Sequence, residues 1–167
     1  MAASSDAFKA ALGRFCSGVT VIALRDADGN DHAMTASAFS SLSLDPPLVL
    51  VCVKKGGAMH DAMSTASGFS VNLLDATQES VSNRFAGWWE EGLSKWADLG
   101  LRRAPVSGGP WIDGALAWLD CTPHGALDGG DHTIFVGLVE GAEVSDTPRE
   151  SLSPLLYFAG RYAKLGD

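Results

Sequence analysis

Three short stretches of this chain carry residue types that could do chemistry. In GGDHTIFVG (129–137), His132 follows Gly129-Gly130-Asp131 where a strongly apolar strand begins, and it is one of only four histidines. An imidazole there could be a structural hydrogen-bonding group, a metal ligand or a contact to a bound substrate. In KKGGAM (54–59), two lysines and two glycines lie between an apolar strand and a helix start. Cationic side chains beside the unpaired N–H groups of a helix N-terminus attract anions; a plain strand–turn–helix link with solvated lysines is the alternative. In TASAFSSLSLDPP (35–47), small and hydroxyl-bearing residues run up to a double proline. Small side chains let a planar ligand approach the backbone, and hydroxyls can bond its polar edge, although a Ser/Thr-rich edge strand would read the same way.

Other chemistries are disfavoured. His32, His60, His124 and His132 are never three or four residues apart, so no metal site is expected. Neither G-x-G-x-x-G nor the phosphate-loop pattern G-x-x-x-x-G-K-[ST] occurs, and no G-x-S-x-G elbow activates a serine. The formal net charge is −8 and no basic cluster exceeds a pair (Lys54-Lys55, Arg102-Arg103), which argues against nucleic acid as a partner. No apolar run approaches the roughly eighteen residues of a membrane span. The start MAASSDAFKAALGRF lacks the basic and apolar blocks of a secretion signal. Cys16, Cys52 and Cys121 are odd in number, far apart and in apolar settings, the pattern of buried thiols in the cytoplasm.

The elements that must position these residues follow from periodicity. Phe8, Ala11, Leu12 and Phe15 predict one buried helical face, ended by Gly18. VTVIAL (19–24) predicts a strand, DADGND (26–31) a hairpin turn, and LVLVCV (48–53) a strand buried on both faces. A short helix over 58–66 and a strand over 68–74 follow. Asp75 with Gln78 reads as a capping box, opening a helix that turns Val81 and Phe85 inward and stops at Gly87. Residues 87–114, with Trp88, Trp89, Trp96, Trp111 and PVSGGP, predict a long excursion over the surface or onto a partner subunit. Trp118 reads as core, and ALAWLDC (115–121), TIFVGLVEGAEV (133–144) and LLYF complete the strands. Hairpin-type links dominate, which predicts a mainly β protein, an antiparallel barrel with attached helices, as one domain over 1–167.

Seven blocks in this order carry a resemblance: FKAALGRFCSGVTVIAL, MTASAFSSLSLDPPLVLVCV, SGFSVNLL, NRFAG, GALAWLDC, GGDHTIFVG and PLLYFAGRY. From about Phe8 to Tyr162 the chain resembles the short-chain flavin reductase family, the reductase components of two-component flavin-dependent monooxygenases. The resemblance implies a Greek-key antiparallel split β-barrel, usually a homodimer with flavin near the subunit interface. It also implies reduction of FMN or FAD by NADH or NADPH, with reduced flavin passed to a separate monooxygenase component. On matching positions it places Thr35, Ala36, Ser37, Ala38, Phe39, Ser40 and Ser41 beside the isoalloxazine ring, with Ser43 at the edge. Lys54, Lys55, Gly56, Gly57, Ala58 and Met59 would hold the phosphate end, and Arg84-Phe85 would flank the cofactor. Gly130-Asp131-His132 matches the pyridine-nucleotide motif, and Tyr157 and Arg161 match a C-terminal segment near the same pocket.

Many relatives carry Ser, Arg or Thr where this chain has Gly57, Ala58 and Met59, so phosphate would depend on backbone N–H groups and a lysine. Weak retention of flavin, which would then exchange as a substrate, is the expected consequence. Hydride transfer needs nicotinamide C4 within about 3–3.5 Å of flavin N5, and stacking and orientation are the protein's share of that work. His132 is the candidate catalytic residue, orienting the nicotinamide or stabilising charge on reduced flavin, with Asp131 fixing the turn or the imidazole. The competing classes are a flavin- or haem-binding split barrel without turnover, a purely structural dimerisation domain, and an oxidase of a phosphorylated vitamin B6 compound.

Overall fold

The computed structural model describes residues 2–87 and 94–166. Trp88 and Trp89 lie outside the described residues. In chain order the elements are α1 (Ser5–Leu12), β1 (Ser17–Gly18), β2 (Thr20–Arg25), β3 (Asp31–Ala36), β4 (Phe39–Leu44), β5 (Pro47–Lys54) and α2 (Ala58–Thr65). They continue with β6 (Phe69–Leu73), α3 (Glu79–Phe85), β7 (Leu101–Arg103), β8 (Pro110–Ile112), β9 (Ala117–Gly129), β10 (His132–Val144), β11 (Leu156–Phe158) and β12 (Arg161–Ala163).

Seven strands form one antiparallel sheet in the order β3-β2-β6-β9-β10-β5-β4. The edge strands β3 and β4 are consecutive in the chain, joined only by Ser37-Ala38, and they do not pair with each other. The sheet curls nonetheless. Ile22 and Leu24 of β2 share one core with Val49, Val51 and Val53 of β5 from the opposite half, and Met63 of α2 plugs it. Register shifts at Val136/Gly137 and Val139/Gly141 bend the long β9–β10 hairpin, as bulges do. At that bend Gly137 has no room for a side chain, since a Cβ would lie 2.5 Å from Phe69 Cζ. The result is a barrel split along the β3/β4 seam.

Central β2 is buried along Thr20–Leu24, but β5 alternates: Val49, Val51 and Val53 are buried while Leu48, Leu50 and Cys52 are only half-buried. The expectation of a two-sided buried strand is therefore corrected. The second face is only partly removed from water, and its Cys52 lines the cleft between the barrel halves. The α1 face is a second correction. It ends at Leu12 with Gly13 as cap, short of Gly18, and Phe8, Leu12 and Phe15 stay 60%, 50% and 72% exposed.

The expected capping box forms, with Thr77 N–H donating to Asp75 and Gln78 Oε1 accepting from Asp75 N–H, and it starts the turn that leads into α3. Val81 and Phe85 are buried. Of the tryptophan-rich region, residues 94–103 run along the surface as expected, while 104–112 fold back onto the sheet. The β7–β8 hairpin is held by Asn72, which donates to Pro110 O (3.2 Å) and accepts from Ile112 N–H (2.7 Å), and by Ser70, which donates to Pro110 O (2.7 Å). Buried Asp120 accepts from Val106 and Ser107 N–H, so its carboxylate is satisfied by the loop it pins. Trp111 and Trp118 are both buried, 6.2 Å apart, beneath the guanidinium of Arg102.

Candidate functional site

The split in the barrel leaves a cleft of about 480 Å³, within the range of small-molecule sites. One wall is the end of β3 and the connection after it, Thr35, Ala36, Ser37 and Ala38. The floor is Cys52, Val53 and Lys54 of β5. Gly57, Ala58, Met59 and His60 close one end, Phe85 and Ala86 another, and His132 stands at the mouth. A second cleft of about 330 Å³ shares Thr35, Ser37 and Ala86 and adds Asn83, Tyr157, Gly160, Arg161 and Tyr162. Tyr157 and Arg161 therefore sit beside the cleft that holds His132, connected through Ser37.

Local structure explains each wall. Gly56 has φ +77°, which turns the chain out of β5, and Gly57 is the extended N-cap of α2 without a side-chain hydrogen bond. The first-turn N–H groups of α2 thus have no side-chain partner, and the helix dipole adds positive potential there. Thr35 Oγ1 donates to Ser82 O at 2.5 Å, and Ser82 Oγ and Tyr162 OH lie 2.7 Å apart. Those bonds lock α3 to β3 and β12, so the hydroxyl proton of Thr35 is committed to Ser82 O. His60 Nε2 shares a 2.9 Å hydrogen bond with Thr133 Oγ1, and its ring meets Phe135 edge-on, fixing α2 against β10.

The pair His132↔Gly129 closes β9–β10 through a two-residue turn, Gly130-Asp131. Gly130 has φ +79°, the first-position glycine of a type II′ hairpin. His132 Nδ1 lies 2.8 Å from Asp131 Oδ1, and that hydrogen bond, aided by charge attraction, holds the Asp131 carboxyl below its usual value. With Nδ1 engaged, Nε2 is the ring nitrogen left for a ligand.

Several residues assigned from sequence lie outside the cleft. Ser40 and Ser41 are exposed on edge strand β4, Ser43 is half-buried on the same strand, and Phe39 lines a separate apolar groove beyond the seam. Gly56 shapes the turn without lining the cleft, and the Arg84 guanidinium donates to Ala97 O at 2.6 Å, away from it. Phe85 is in the cleft wall, backed by Trp96 at 4.7 Å. The Lys55 ammonium is engaged by Asp128 and by Gly130 O. Lys54 alone of the two lysines lines the cleft. Gly130 and Asp131 shape the turn that presents His132.

Cys52, Val53, His60, Met34, Ala86, Asn83, Gly160 and Tyr162 are lining residues that sequence reasoning missed. Period-two alternation along β5 would have put Cys52 on the face of Lys54, and His60 is the third residue of α2 after its glycine cap. Of three thiols expected to be buried, Cys121 alone is, Cys52 is half-buried in the cleft, and Cys16 is exposed. Burial pushes the Cys121 thiol up to about 12, with the charges of Asp120 and Glu140 adding to it.

The fold and cleft define a mainly β, antiparallel split barrel whose pocket is lined by a helix N-terminus, a lysine and the small residues 35–38. The family profile described as "Flavin reductase like domain" matches residues 12–166. The chain belongs to that family. It is 43% identical over 160 residues to the reductase component of 4-hydroxyphenylacetate 3-monooxygenase from Thermus thermophilus, covering 96% of each chain. Nitrilotriacetate monooxygenase component B from Mycobacterium thermoresistibile superposes with a TM-score of 0.87 at 38% identity, over 96% of this chain and 86% of that one. The NADH:FAD oxidoreductase of Streptomyces globisporus, solved with NAD and FAD fragments, gives 0.83 at 35% identity, over 93% and 89%.

Proposed function

We propose that the protein is an NAD(P)H-dependent flavin reductase that passes a hydride from NADH or NADPH to FMN or FAD and supplies reduced flavin to a separate monooxygenase. The observation that carries this reading is the convergence, in one cleft, of Ser37-Ala38, the uncapped start of α2 with Lys54, and His132. When bound, flavin supplies N5 as the hydride acceptor. The chain's own share is placement. Ala36, Ser37 and Ala38 present backbone and small side chains to a planar ring, and the N–H groups after Gly57 with the Lys54 ammonium receive phosphate. His132, with Nδ1 turned to Asp131, offers Nε2 to the nicotinamide amide or to negative charge developing on the reduced ring. Tyr157 and Arg161 border the continuation of the cleft and supply a stacking face and a cation.

Because no side-chain hydroxyl supports the phosphate at Gly57, Ala58 or Met59, flavin exchanges as a substrate. No arginine pair lines either cleft among the described residues, which favours NADH over a donor with an additional phosphate. The exposed Phe8, Leu12 and Phe15 border a groove with Tyr157, Phe158, Ser37 and Ala38, which fits a homodimer whose partner covers α1 beside the flavin. Three unpaired thiols fit a reducing cytoplasm. The test is nicotinamide absorbance in mixtures of purified protein, NADH or NADPH, and each of FMN, FAD and riboflavin. Flavin-dependent loss of NADH is expected. A protein that retains yellow flavin and consumes neither donor would be a binding module instead.

A further inference from the structure

The tip of the β9–β10 hairpin is an exposed extension of the barrel. From Pro123 to Gly129 every residue of β9 is exposed, and β5, the neighbour of β10, ends at Lys54 opposite His132. Over this stretch β9 has β10 as its one paired neighbour, and an exposed edge segment of that kind opens locally, which would leave the turn and the imidazole without a fixed direction. One residue stands against this. The Lys55 backbone N–H donates to Asp131 O at 3.0 Å, and its ammonium donates to Gly130 O at 2.6 Å and pairs with Asp128. Both central carbonyls of the turn are thus held by a single side chain and its own amide. Fixing those two peptide planes fixes the Asp131–His132 linkage, and the Asp131 carboxylate then orients the ring. The pairing also holds the Asp128 carboxyl below its usual range, chiefly through the hydrogen bond from Lys55.

We infer that Lys55 is a positioning residue for His132, clamping the Gly130-Asp131 turn, and does not serve as a phosphate ligand. The inference rests on reading His132 as the contact to the nicotinamide. It gives separate roles to the lysine that ends β5 and the lysine that follows it. Lys54 lines the cleft as a cation for an anionic ligand, and Lys55, the first residue of the turn after β5, fastens the neighbouring hairpin.

Four variants of the full chain test it by NADH KM, flavin Kd and amide hydrogen exchange over residues 128–132. Lys55→Met keeps the aliphatic stem and removes the ammonium. Exchange at the tip should accelerate and NADH KM rise about fivefold, the size expected for exposed charged hydrogen bonds, with flavin Kd unchanged. Lys55→Arg should recover most of both. Asp128→Asn separates a clamp from a direct ligand. It removes the ammonium's charged partner, leaving Gly130 O, and takes away a negative charge, so NADH KM should fall if Lys55 contacts the nucleotide and rise if Lys55 is a clamp. A weakened flavin Kd in Lys55→Met with flat NADH KM, or unchanged exchange at the tip, would overturn the inference. If tip exchange accelerates in Lys55→Met while neither it nor His132→Ala alters NADH KM, the nucleotide-binding reading of His132 fails instead.

Discussion

Replacing Gly57 with Asp should move stability and flavin binding in opposite directions. Gly57 is the N-cap of α2 with φ −117° and ψ 157°, dihedrals that any residue adopts, and a Cβ there meets no atom within 4 Å. An Asp carboxylate at that position accepts from the first-turn N–H groups, which gains a few tenths of a kcal/mol over glycine. Those are the same donors assigned to the flavin phosphate, so the new carboxylate both occupies them and repels the ligand. Two unit charges about 4 Å apart interact by about 1 kcal/mol in water and about 4 kcal/mol near a protein surface. Gly57 is exposed, so the lower part of that range applies, about 1–2 kcal/mol, or a Kd for FMN raised about 5- to 30-fold. Riboflavin lacks the phosphate and should bind Gly57→Asp as it binds the unmodified chain. Gly57→Asn, with the same shape and no charge, should lose much less FMN affinity. Fluorescence titration of FMN and riboflavin beside thermal melts decides the matter. Parallel weakening of both flavins, or FMN affinity left intact, would refute the assignment of the α2 N-terminus to phosphate.

Alkylation should distinguish the three thiols. Exposed Cys16 reacts first, Cys121 only on unfolding because its thiol is raised to about 12, and Cys52 is slowed by added FMN if the cleft is the flavin site; peptide mass mapping with and without FMN reads this out. Gly137→Ala forces a methyl against the Phe69 ring in the most bent part of the sheet and should cost about 1–3 kcal/mol, seen as a lower denaturation midpoint. The β2–β3 turn carries a pH-dependent contribution. Asp26 is lowered from 3.8 to about 2, first by its hydrogen bond to His32 and then by Asn30 N–H. A depressed folded-state value stabilises above the unfolded value and is lost as pH falls through the folded one. Asp26→Asn should therefore destabilise the chain above about pH 4, with the difference from wild type closing between about 4 and 2 in acid titrations of stability.

Much of the barrel was legible because its determinants are local. Apolar and β-branched runs with turn residues located β2, β5, β6, β10, β11 and the first part of β9, up to Cys121 but not its extension to Gly129, and the Asp75/Gln78 pair located the start of the helical segment that leads into α3. The wall Thr35–Ala38, the glycine turn before α2 and the His132 hairpin were each recognisable as short segments with their own chemistry. What remained hidden was which side chains meet. Lys54 and Lys55 are indistinguishable as neighbours in sequence, yet one lines the cleft and the other bonds Gly130, 75 residues away. Ser40, Ser41 and Ser43 share the composition of the 35–38 wall but lie on β4 beyond the seam, because the sheet splits at Ser37-Ala38. The α1 stripe announced an apolar surface without saying what covers it. The sequence by itself determined the central strands, the β2–β3 turn and the chemical character of each segment, since these depend on residues within a few positions of one another. The tertiary structure decided the pairing of β5 with β10, the curl that brings β2 to β5, and hence which atoms face one ligand, since those contacts close only when distant strands share a core.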